Sequence, residues 1–166
     1  MEMNMFILPI AALIPLIVGA IWYNPKVFGN VWMRVADMTE EKIKGSNMAV
    51  IFGVTFVLSI LLAFMLMPIV IHQMGIFSLF VGIPEFNDVN SEAHQQFVAL
   101  MTQFDGSFRT FKHGALHGTM AGLFFAMPVI GVNALFERKG FKYIAIHTGF
   151  WVVCLALMGG VVCQWV

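Results

Sequence analysis

Charge is what this sequence has least of. Asp, Glu, Lys and Arg make up 11% of the 166 residues, whereas 60% are hydrophobic, and the mean hydropathy is +0.86. That balance excludes an ordinary soluble globular domain and leaves an integral membrane protein. The formal net charge is zero and there is no long run of Lys and Arg, so the chain lacks the electrostatic footprint of a nucleic-acid binder. Cysteine is scarce too. Cys154 and Cys163 share one apolar segment, where nine residues of helix separate them by roughly 13 Å, beyond disulfide reach. The start, MEMNM, has no basic region and no A-x-A-like cleavage site follows it, so the first apolar run is expected to remain as a span. Motifs of membrane hydrolysis are missing as well: there is no G-x-S-x-G and no pair of carboxylates inside an apolar run. These absences point away from an enzyme.

What the chain does contain is four apolar stretches, expected at residues 6–23, 48–71, 113–136 and 141–166. Each approaches or exceeds the ~20 residues that cross a bilayer as a helix. They make the predicted fold an all-α membrane bundle forming one domain over residues 1–166. Trp22 and Tyr23 close the first span as interfacial aromatics, and Pro25 stops its helix. A short helix carrying both signs of charge follows, expected to lie along the interface, with Asp37 or Thr39 able to cap a further turn. Between spans two and three, residues 75–112 form the longest polar-containing region. Within it SEAHQQFVALMTQF offers Ser91 as an N-cap and an apolar face including Phe97 and Phe104, predicting a short amphipathic helix.

Lys and Arg are distributed unevenly about these spans. Lys26, Arg34, Lys42 and Lys44 follow span one and Arg138, Lys139 and Lys142 follow span three, against only Arg109 and Lys112 on the other side. The positive-inside rule then places both termini and the 75–112 insertion outside, in the periplasm if the membrane is a bacterial cytoplasmic one.

Span three holds two stripes at helical spacing. Gly114, Gly118, Gly122 and Ala126 recur every fourth residue, forming a groove that lets a neighbouring helix backbone approach closely. His113 and His117, also four apart, form a second stripe and can share a metal. In HGALH, Gly114 stands where an H-E-x-x-H metalloprotease carries its general base, so that chemistry is not expected. By depth, His117 lies roughly 7 Å below the outer surface and His147 about 9 Å above the inner one, which separates them. His72 ends span two on the outer side, so His72, His113 and His117 are the candidate ligands of a divalent metal, with His94 and the acidic residues Glu85, Asp88, Glu92 and Asp105 nearby in sequence. Histidines alone would instead serve a pH sensor. The helices do not require a haem. At the inner end, Asn133 and His147 are expected to meet across the turn after span three.

The sequence WYNPKVFG with VWM just after it, then MTEE, GALHG and FER, resembles the bacterial membrane proteins of domain-of-unknown-function family 1761. The most specific part is the set Trp22, Tyr23, Pro25, Phe28, Gly29, Trp32 and Met33. The resemblance implies a small multi-helix membrane protein and supplies no catalytic residues. The insertion, about residues 76–110, looks larger than the family leads one to expect. Together these readings suggest a non-enzymatic structural or accessory module in the lipid bilayer, self-associating or bound to another membrane protein. A small transporter or channel, or an outer-face metal or pH sensor, are the alternatives.

Overall fold

The structure is a computed structural model that describes residues 3–166. Every regular element among them is helical. Three helices are long and apolar enough to cross a membrane: α5 (Met48–Val70), the continuous helix Phe111–Phe136, and α10 (Phe141–Trp165). The first apolar run is shorter and in two pieces, α1 (Ile7–Ala12) and α2 (Ile14–Trp22), because Pro15 opens α2 and interrupts the ladder near Leu13. Both pieces lie against α5 and α10.

Helix α10 is the centre of the bundle, packing on α1, α2, α5 and the helix Phe111–Phe136. Its contact with α8 (Phe111–Ala121) is close because glycines line it. A Cβ built on Gly118 would sit 2.6 Å from the Leu155 carbonyl carbon, one on Gly114 would sit 2.7 Å from that of Gly159, and one on Gly122 would sit 2.7 Å from the Val152 Cα. In lipid there is no hydrophobic gain from joining two apolar helices, so such close backbone packing supplies the attraction. The core around this seam is filled by Ala63, Met67, Val70, Met158 and Val162, all essentially inaccessible.

Span three is not a uniform helix. Residues Gly122–Ala126 form a wide π turn before α9 (Met127–Phe136). Pro128 accounts for it: a proline ring inside a helix clashes with the carbonyl four residues back, and a widened turn relieves that clash. Ala126 lies in this turn and lines an apolar cleft of about 460 Å³ with Leu62, Met65, Phe125 and Trp151.

The two ends of the bundle differ. At one, the WYNPKVFG segment makes a tight return into α3 (Gly29–Val35), the Phe28 and Gly29 amides donating to the Trp22 and Asn24 carbonyls at 3.1 and 2.9 Å. Gly29 is required there, since a Cβ would fall 2.8 Å from the Asn24 carbonyl carbon. Thr39 then caps α4 (Glu40–Lys44), and Asn47 caps α5. At the other end, Ile71 adopts extended backbone after Pro68 and the chain turns into α6 (His72–Phe80). Helix α7 (Glu92–Gln103), capped by Ser91, packs Phe97 on the rings of Phe77, Phe80 and Phe86 at 5.1–6.2 Å. These elements build the insertion.

Candidate metal centre

Where the insertion begins and ends, it brings three histidines together. His72 is the first residue of α6, while His113 and His117 stand one turn apart near the start of α8. Each offers a ring nitrogen, and these nitrogens all lie within 4.8 Å of one another. His72 Nε2 and His113 Nε2 are 2.9 Å apart, so one of the two carries a hydrogen and donates it to the other. The three rings pack at centroid distances of 4.5–5.2 Å. His72 is exposed and the other two are half-buried.

A strap of backbone lies across this group. Phe108 adopts φ 62, a left-handed conformation that is a genuine outlier for a bulky residue, and its ring packs on His72 at 5.6 Å and on His113 at 5.1 Å. The strap is pinned from below. The Cys163 thiol shares its one hydrogen between the Phe108 and Val70 carbonyls, at 3.3 and 3.2 Å, and the buried Gln73 amide donates to the Phe104 and Ser107 carbonyls at 2.8 and 3.0 Å. Thr110 caps α8, and the Gln164 side chain accepts from the Phe111 amide at 3.0 Å. The histidines thus stand on elements whose positions are fixed by hydrogen bonds.

Three imidazole nitrogens this close are a donor set whose chemistry suits a divalent ion. A tetrahedral zinc holds imidazole nitrogens at about 2.0–2.1 Å, which sets them roughly 3.3 Å apart. The His72 and His113 nitrogens would open by a few tenths of an ångström, His117 would close in, and the hydrogen between the first two would move to an Nδ1. The donor set is three neutral imidazoles. Among the described residues no carboxylate or thiol joins it.

The remaining polar candidates are elsewhere. His94 Nδ1 lies 3.0 Å from the Phe86 carbonyl, within the insertion's own packing. Asp88 accepts from the Asn90 amide and Glu92 from Gln96. At the opposite end of the bundle, Asn133 and His147 do not meet: Asn133 is exposed on α9, and His147 Nδ1 instead lies 3.4 Å from the Tyr23 hydroxyl. Tyr23 ends α2, which lies against α10, and its ring packs on Phe150 of α10 and on Trp32 of α3, both at 5.2 Å. Sequence reasoning missed this partner although Tyr23 was already marked by the motif. Trp22 Nε1, His147 Nε2 and Thr148 Oγ1 are buried there without a hydrogen-bond partner. Between the two ends the core is apolar, running through Ala63, Leu66, Met67 and Met158.

Comparison with curated proteins gives no match, and neither does comparison with solved structures. A family model does match, over residues 8–163, and its description is "Protein of unknown function (DUF1761)". The match runs through both ends of the bundle, including the return at Trp22 and the three histidines. The chain therefore belongs to the DUF1761 family.

Proposed function

We propose that this protein is a membrane-embedded metal-binding module, holding one divalent transition-metal ion at His72, His113 and His117. The observation that carries the reading is the convergence of three imidazole nitrogens, from two separate helices, within 4.8 Å. Imidazole donors suit zinc, copper, nickel and iron in the divalent state. The four apolar runs act as four spans, with α3 and α4 at the cytoplasmic interface and the insertion, both termini and the metal on the outer side of a bacterial cytoplasmic membrane. The excess of Lys and Arg at the α3–α4 end supports that orientation. The role is binding rather than turnover, in an accessory protein that self-associates or serves a partner in the same membrane. The broad exposed apolar face of α5, which includes Phe52, Val57, Leu61 and Phe64, supports contact with lipid or with such a partner.

Metal analysis tests the reading. Protein purified after zinc loading and removal of free ion should hold about one equivalent, as expected of a single three-histidine site. The His113→Ala, His117→Ala double variant should hold none while keeping its helical content. Equal zinc in both proteins would overturn the proposal.

A further inference from the structure

Charge is divided between the two ends of the molecule. Residues 24–47 and 137–142, which meet at one end of the bundle through the Lys139 hydrogen bond to Asp37, carry seven basic side chains against four acidic ones. The insertion, residues 72–112, reverses the balance with two basic and four acidic. Pairing within the basic end neutralises only part of its excess. Lys44 pairs with Glu40 and Lys139 with Asp37, while the Lys42 ammonium lies 2.9 Å from the Asp37 backbone carbonyl, which sets two cations around one aspartate. Arg34 makes no ion pair among the described residues. It is exposed and lines an open cleft of about 620 Å³ with Asn30, Met33 and Met38, in which the Asn30 amide is already committed to the Pro25 carbonyl at 3.0 Å. The cleft therefore offers one free guanidinium between thioether walls. Large apolar side chains stand beside these charges. Phe136 and Phe141, 88% and 80% exposed, flank the turn that carries Arg138 and Lys139, and Val27 and Phe28 are exposed beside Lys26. Exposed rings next to cations fit a lipid interface, with the rings among hydrocarbon and the cations level with the phosphates. A water-soluble acidic partner would leave those rings in water, so the pattern selects a lipid.

We propose that this end of the bundle binds an anionic glycerophospholipid, whose phosphate is held by Arg34 in the cleft with Asn30, Met33 and Met38. The inference draws on the four-span topology proposed above and is independent of the metal. A guanidinium can donate to two phosphate oxygens at once, and Met33 and Met38 give the glycerol and the first methylenes an adaptable apolar wall. The excess of basic residues around the cleft favours a headgroup that carries net negative charge. A zwitterionic headgroup gains little from the same field, because its own amine offsets its phosphate.

Lipid-dependent stability is the test. In the detergent-solubilised full chain, short-chain phosphatidylglycerol should raise the melting temperature saturably, and phosphatidylcholine of the same chain length should raise it far less. Arg34→Gln should weaken phosphatidylglycerol binding by about fivefold, the worth of one basic residue at an anionic lipid surface. Arg34→Lys, which keeps the charge and loses the fork, should recover part of that loss, whereas Lys112→Gln, at the opposite end, should bind as the parent does. Equal effects of the two phospholipids would overturn the proposal. Glycerol phosphate as effective as phosphatidylglycerol would show a site for a soluble phosphate instead of a lipid, and an Arg34→Gln protein with the parent's affinity would overturn the placement in the cleft. The Arg34→Gln protein should hold as much zinc as the parent, so the lipid and metal readings stand or fall separately.

Discussion

A methyl group is the difference between contact and collision at Gly118, where the backbone of Leu155 leaves no room for a Cβ. Gly131 lies further along the same span and has nothing within 4 Å of the Cβ position. The two sites make a matched pair. Gly118→Ala should force α8 and α10 apart and lower stability by about 1–3 kcal/mol, the usual cost of overpacking, whereas Gly131→Ala should be neutral or gain up to about 1 kcal/mol from helix propensity. Thermal unfolding in one detergent compares them. At the other end, Lys139 donates to the Asp37 carboxylate. That hydrogen bond, then the lysine charge, holds Asp37 below the usual carboxylate range, and the same bond holds Lys139 above the usual ammonium range. A lowered acid stabilises the fold above its unfolded pKa of about 3.9, and a raised amine stabilises it below about 10.4. The link is therefore present through neutral pH, disappears as pH falls through the Asp37 value, and disappears as pH rises through the Lys139 value. Asp37→Asn should remove the part of the acid limb that this pair contributes to a melting-temperature profile below about pH 4, and the difference should shrink in high salt.

Among the elements, legibility follows whether the cause is local. Ser91 before an apolar face marks α7, and glycine at every fourth residue marks the face of α8 that α10 covers, because caps and helical periodicity are properties of short stretches. Counting helical rise places His72, His113 and His117 toward one face of the bundle, but their mutual contact appears only in the structure. Three further features were not legible. The split near Leu13 and the π turn at Gly122–Ala126 both come from prolines inside apolar runs; Pro15 marks a kink in the first run, but sequence does not say whether a proline kinks, splits or widens a helix. The Phe108 strap is the third, since a left-handed Phe has no sequence signal and is imposed by Cys163 and Gln73 from distant elements. For the same reason Tyr23 could not be assigned to His147: their contact spans 124 residues.

For the whole molecule, the bundle and the insertion are joined by a narrow neck. The chain leaves the bundle at Ile71, whose extended backbone interrupts the helix, and re-enters it at Thr110, where α8 is capped. His72 and His113 stand on the two sides of that neck, 41 residues apart in sequence. An ion shared between them would act as a purse-string. Closing a loop of that length is worth up to about 4 kcal/mol on a chain-entropy estimate, and less where α6 and α7 already pack together. Stripping the metal with a chelator should therefore speed protease cleavage in the 81–90 segment several-fold while leaving the membrane helices protected, and a His72→Ala protein should be cut fast with or without metal. Equal cleavage with and without metal would show that the neck is held by protein contacts alone. On this arithmetic the size of the insertion between α5 and α8 and the strength of the centre are coupled: a larger insertion would give the ion more conformational freedom to remove, so occupancy of the site and order of the surface above it should rise and fall together.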